Sequence, residues 1–228
     1  LPYHYSKLSD TGKAVYIQLR KAALNHEKSF IYNKALDNDL VSQLADIIFY
    51  EDSLAFNVKG VSYLIYASQD KTEFDLTYSF STESADKMMK KMDAVAEKVV
   101  SKFDEDTSAY NKILYIHDYI VGHTVYDESL NSAHSAYGSM IAGKAVCEGY
   151  ARAFGYICAK AGIKTVNVVG RATADDGHTE NHMWNRVYLK KQWYDIDLTW
   201  DDPVMPYVEN KSYKYFLPGS ATFAKSHK

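Results

Sequence analysis

Residues 182–200 read HMWNRVYLKKQWYDIDLTW, two runs rich in aromatic and β-branched residues on either side of a pair of lysines. The pattern predicts two strands joined by a tight turn at Lys190 and Lys191. In that register Leu189 opposes Gln192, Trp184 opposes Asp197 and His182 opposes Thr199. Opposed residues share a face of the sheet, so His182 and Asp197 become diagonal neighbours, about 7–8 Å apart between backbones, with side chains able to meet. A four-residue turn would keep them on one face and a three-residue turn would separate them. Asp195 lies on the same face, further from His182, and is expected to point to solvent. Asp197, beside Leu198 and Trp200, is better explained as a partner for the imidazole. Trp184 and Trp200 flank these positions as walls of a cleft or of the core, and Asn185 and Asp201 can support the hairpin by hydrogen bonding.

Upstream, KTVNVVGRAT reads as a further strand, and before it CEGYARAFGYICAKAG reads as a helix. On that helix Cys147, Tyr150, Ala151, Phe154 and Cys158 form one core-facing stripe, and free Cys is among the most buried residue types. A structural Cys147 is therefore one reading. The other starts from Gly143-Lys144-Ala145, a short turn that sets Cys147 in the first turn of the helix. There the helix dipole favours a thiolate, and unpaired N–H groups can stabilise an oxyanion. Cys158, three turns further in, is expected to be inert. The two thiols lie about 16 Å apart along the helix at 1.5 Å per residue, beyond disulfide reach, so both are expected to be free.

A thiolate nucleophile needs a base, and the base an orienting acceptor. Of eight histidines, His4, His26 and His227 sit near the ends or beside polar helix surface, and His117 reads as a core residue inside a helix. His123 and His134 lie on the approach to the Cys147 helix. His182, opening a strand, is where a rigidly held imidazole would be built. A metal reading of Asp175, Asp176, His178 and His182 has the i, i+4 histidines, but Gly177 and the strand character after Asn181 argue against the helix it requires. No metal is expected.

Working outward, 228 residues are enough for one large domain or two small ones with a buried core. A net charge of -3 gives no electrostatic case for nucleic acid or an anionic membrane. No apolar stretch is long enough for a transmembrane span, and no signal peptide is seen. The chain opens LPYHYSKLSD without an initiator Met, which reads as a processed or truncated product whose targeting segment is not in the chain. Helices are predicted over SDTGKAVYIQLRKAALNHEKSF, NDLVSQLADIIFYED, STESADKMMKKMDAVAEKVVSKF and TSAYNKILYIHDYIVGHTVYD, and strands over GVSYLIYAS and TEFDLTYSFS. DDPVMPYVENKSYKYFLPGS reads as an irregular tail, because of its internal prolines. Helices followed by consecutive strands argue for an α+β fold. Residues 1–106 are expected to form an α/β lead-in segment packed on a domain at 107–228.

SAYGSMIAGKAVCEGYARAF, NHMWNRVYL and QWYDIDLTWDDP together resemble the transglutaminase-like superfamily in its bacterial branch. The family pattern has a Cys at a helix start, a His in a following strand and an Asp in the next, and Cys147, His182 and Asp197 fall on those places. The resemblance covers roughly residues 108 to 217. It implies a papain-like α+β core, helices packed on an antiparallel sheet, and a Cys-His-Asp triad for amide hydrolysis or acyl transfer to amines. It also implies a side-chain donor to the oxyanion before the nucleophile, for which Tyr137 and Tyr126 are candidates. Peptide, protein or cell-wall peptide substrates follow from the resemblance, as does an extracellular or cell-surface location. No cofactor follows: the calcium of animal-type members is not carried over, since the chain lacks their calcium-loop pattern and room for their β-sandwich domains. The alternative reading is a non-catalytic binding or scaffold module of the same fold.

Overall fold

A computed structural model describes residues 1–202 and 211–228; Pro203 and Pro206 of the expected tail lie outside the described residues. The chain divides into two compact units, residues 1–87 and 88–228.

In the first unit, Ser9 caps α1 (Asp10–Leu24) by accepting the Gly12 N–H, and Val15, Leu19, Ala22 and Ala23 are buried, as their spacing predicts. The helix was expected to run on to Phe30. It stops at Leu24 instead, because the chain reverses through His26 at φ 55°, and Ser29–Tyr32 forms β1. Asp37 caps α2 (Asn38–Asp46), which continues as one wider turn over Ile47–Glu51. Strands β2 (Val58–Tyr66) and β3 (Lys71–Tyr78) complete an antiparallel sheet ordered β1-β3-β2. Tyr16, Leu19, Leu44, Ile48 and Phe74 are fully buried in its core.

The division between the units falls inside α3 (Thr82–Val100). The second unit continues with α4 (Ala109–Val121), whose cap Ser108 accepts the Asn111 N–H. A short parallel pair, β4 (Val125–Tyr126) and β5 (Lys144–Ala145), leads directly into α5 (Cys147–Lys160). Then come β6 (Thr165–Thr173), β7 (Thr179–Leu189) and β8 (Gln192–Ile196), an antiparallel sheet in sequence order. Two short helices follow, α6 (Leu198–Asp201) and α7 (Ser220–Phe223). Helix α5 packs on β6 and β7, and α4 packs on α5. Helices and consecutive antiparallel strands give the α+β class that the sequence predicts.

The hairpin forms in the predicted register, from Leu189↔Gln192 to Asn185↔Ile196. Lys190 and Lys191 make its turn with φ of 49° and 65°, the left-handed pair that matches the twist of the flanking strands. One expectation fails: the last strand was read through to Trp200 but ends at Ile196. Asp197 leaves the ladder because its carboxylate caps the next turn, accepting the N–H groups of Thr199 and Trp200.

Candidate active site

Cys147 is the first residue of α5 and half-buried. Its position is set by backbone. Gly143 turns the chain at φ 68°, and β5 hydrogen bonds beside β4, with Tyr126 opposite Ala145. Gly149 lets the helix sit closely on the preceding loop, since a Cβ there would lie 2.4 Å from the Ala133 carbonyl oxygen. The N-cap is Val146, which has no side-chain acceptor; its carbonyl takes the Gly149 N–H at 2.8 Å, which leaves the N–H groups of Cys147 and Glu148 without a side-chain cap. Cys158, on the same stripe, is fully buried, and that burial pushes its thiol well up.

His182 is 3% exposed. Its Nε2 lies 2.7 Å from Asp197 Oδ2, which leaves Nδ1 for a second partner. Burial alone would discharge this imidazole. The hydrogen bonds and charges of Asp197 and Cys147 outweigh it, and the ring's pKa is raised to about 10. Glu180 stands outside, 3.9 Å from Nδ1 and half-exposed. Burial likewise opposes the charge of Asp197, but His182 and His227 outweigh it and hold the carboxyl below its usual range. The structure thus brings the three sequence-predicted residues together, from a helix start, a strand and the cap that follows the next strand.

His227 joins them. Its Nε2 lies 3.0 Å from the same Asp197 Oδ2, and it is 4% exposed. Sequence reasoning set this residue aside as terminal. No local pattern marks it, because it arrives by a long-range pairing: residues 226–228 lie antiparallel to β6, with Ala172 bridged to His227. Among the described residues, His182, Asp197 and His227 are also the set able to converge on a cation, with ligand atoms within 4.8 Å. They already bond to one another, and we read the trio as a hydrogen-bonded cluster. Asp176 instead closes a turn on the His178 N–H.

Other expectations fare differently. Asp195 does not face solvent: it is 4% exposed and accepts from Trp184 Nε1 and Arg186 Nε, because two N–H donors converge on it. Trp184 is core, packed with Tyr215 and Phe223. Asn185 ties β7 to α5 through the Ala151 carbonyl. Buried Asp201 meets His117 Nε2 at 3.3 Å and accepts the Tyr215 N–H. Tyr126 stands near the thiol, since burial, then the charges of Cys147, Glu180 and Glu128, raise its pKa. Tyr137 is half-buried at the start of the turn Gly138–Ala142. No helix among the described residues is long and apolar enough to cross a membrane.

Residues 93–198 match the family model described as the Transglutaminase-like superfamily. The chain is 27% identical over 168 residues to kyphoscoliosis peptidase of Mus musculus, covering 62% of this chain and 25% of that protein. It is 30% identical over 96 residues to kyphoscoliosis peptidase of Homo sapiens, covering 37% of this chain and 14% of that protein. The chain thus spans a quarter or less of the length of these curated relatives. A solved structure described as that of a TGase is similar over 82% of this chain and 54% of its own, with TM-score 0.45 and 17% identity.

Proposed function

We propose, for a chain that carries a transglutaminase-like domain at residues 93–198, that it is a thiol-dependent amide-bond enzyme. Cys147 is the nucleophile, His182 the acid and base, and Asp197 the acceptor that orients the imidazole. The observation that carries this reading is the buried His182 ring, its Nε2 2.7 Å from the Asp197 carboxylate and its other side toward Cys147, a setting whose hydrogen bonds and charges raise the imidazole pKa. A thiolate facing an imidazolium is an activated pair.

In the first half-reaction the Cys147 sulfur attacks the amide carbonyl carbon. The negative oxygen of the adduct is met by first-turn N–H groups of α5, with the Tyr126 hydroxyl as the side-chain donor we favour over Tyr137. His182 gives its Nδ1 proton to the leaving amine as the C–N bond breaks, and a thioester remains on Cys147. Water or an amine then attacks the thioester, His182 takes the incoming proton, and the S–C bond breaks to release acid or new amide. The substrate class is peptide or protein amide, cell-wall peptide included, met outside the cell or at its surface. The family likeness supports both parts of that proposal.

Two measurements test the reading. Iodoacetamide should modify Cys147 of the folded protein far faster than Cys158; equal rates would sink the activated thiolate. Incubation with a peptide or peptidoglycan-peptide library should then leave an acyl mass on Cys147 that is missing in Cys147→Ala. An accessible, alkylatable Cys147 that never acquires an acyl group would point to the scaffold alternative.

A further inference from the structure

The Asp197 carboxylate has all of its acceptor positions filled. Oδ1 takes the N–H groups of Thr199 at 2.9 Å and Trp200 at 3.3 Å. Oδ2 takes two imidazoles, His182 at 2.7 Å and His227 at 3.0 Å. An ionised carboxylate offers about four lone-pair sites, so nothing is left over for a water or for a second orientation. A triad needs only one imidazole on this oxygen. The second is therefore the feature to account for.

The chain holds His227 firmly. Its ring stacks on Phe223 with centroids 4.0 Å apart and meets Trp200 at 4.7 Å and Trp184 at 5.1 Å, both edge-on. Nδ1 lies 2.9 Å from the Ser226 hydroxyl. The backbone on either side is pinned to β6: Thr173 N–H donates to the Ser226 carbonyl, and Arg171 and Lys228 exchange both of their N–H···O bonds. Gly170 permits this approach, because a Cβ there would lie 2.3 Å from the Lys228 carbonyl oxygen. Whether neutral or charged, a ring so placed presents Nε2–H to Asp197.

We propose that His227 is a positioning residue of the site: its N–H fixes Asp197 Oδ2 and shares that oxygen's charge, which sets how tightly His182 keeps its proton. The proposal rests on the triad reading above for its catalytic meaning. A carboxylate serving one donor stabilises an imidazolium more than a carboxylate serving two. With His227 in place, His182 gives up its proton more readily to a leaving amine, and its ring faces an acceptor that cannot swing away. The groups facing His182 are Asp197, Cys147 and Glu180; those facing His227 are Asp197 and Ser226. Asp195 is engaged by Trp184 and Arg186.

The test is a 15N NMR titration of the His182 ring in the full chain, for the wild type and three variants. His227→Gln keeps an N–H donor at the Nε2 position, whereas His227→Phe and His227→Met fill the site without one. In the donorless variants the His182 midpoint should rise by about one unit, the size that one hydrogen bond to a charged group supports, and the rate of acyl-adduct formation on Cys147 should fall. His227→Gln should restore both. An unchanged His182 midpoint in all variants overturns the proposal and leaves His227 as an anchor for the edge segment, as does failure of both donorless variants to fold. The titration reads the proton on His182 whether or not Cys147 is a nucleophile. A Cys147 that never acquires an acyl group would therefore refute the enzyme reading while His227's hold on His182 stood or fell separately.

Discussion

Asp197 does two jobs with its two oxygens, one as the cap of α6 and one as the acceptor for His182 and His227. Its loss would strand a buried imidazolium, so Asp197→Ala should destabilise the fold by about 3–5 kcal/mol, read as a lower midpoint in urea unfolding. The pH dependence has a definite sign. His182 is raised from 6.5 to about 10 on folding, so its stabilising contribution is complete below pH 6.5, declines above it and is gone once pH passes about 10. Asp197 is lowered from 3.8, so its contribution is present above that value and is lost as pH falls beneath it. Unfolding free energy measured from pH 4 to 10 should accordingly decline on the alkaline side, and His182→Gln should flatten that decline. A flat alkaline limb in the wild type would contradict the raised imidazole. At this scale the sequence was legible where a pair depended on one hairpin register, as for His182 and Asp197. It was opaque where a long-range pairing decided the matter: nothing in TFAKSHK signals that His227 reaches Asp197.

Among the elements, the β7–β8 turn was readable in register because two residues of turn are the short way to join such strands. Its chemistry is less favourable, since both lysines occupy left-handed backbone, which costs an L-residue about 1–2 kcal/mol. Replacing Lys190 by Asn and Lys191 by Gly should raise the melting temperature by about 2–4 °C without changing alkylation of Cys147. The start of α5 is the opposite case. Gly149→Ala would place a methyl 2.4 Å from the Ala133 carbonyl oxygen and 2.7 Å from the Ala145 Cβ. The first turn must then shift, and displacement of a reacting group by about 1 Å can cost 100-fold in rate. Iodoacetamide kinetics on that variant should show a roughly ten- to hundredfold loss at Cys147, with Cys158 still protected. The strand β1 escaped the sequence reading because SFIY follows a helical run and only the reversal at His26 separates them. Asp197's exit from the ladder was hidden in the same way, since a strand residue and a cap look alike until the chain beyond is seen to turn.

For the molecule as a whole we propose residues 107–228 as the catalytic domain, preceded by a lead-in at 1–106. The stretch between α3 and α4 includes an exposed Lys102, the kind of site at which proteases nick a fold. Helix α3 is held to α5 by Asp93, which accepts the Tyr156 hydroxyl at 2.7 Å and pairs with Lys160 at 2.5 Å. Trypsin cleavage after Lys102 should therefore yield fragments that co-elute without denaturant and keep the Cys147 alkylation rate; fragments that separate spontaneously would count against that hold. The whole chain contains two cysteines, both on α5 and eleven residues apart, and this spacing has an oxidative consequence. A thiolate at Cys147 would react with peroxide to a sulfenic acid, which other proteins rescue by condensation with a nearby resolving thiol. Cys158, buried three turns away, cannot serve. Peroxide should drive Cys147 on to the sulfinic and sulfonic acids, visible by intact mass, with no intramolecular disulfide at any stage.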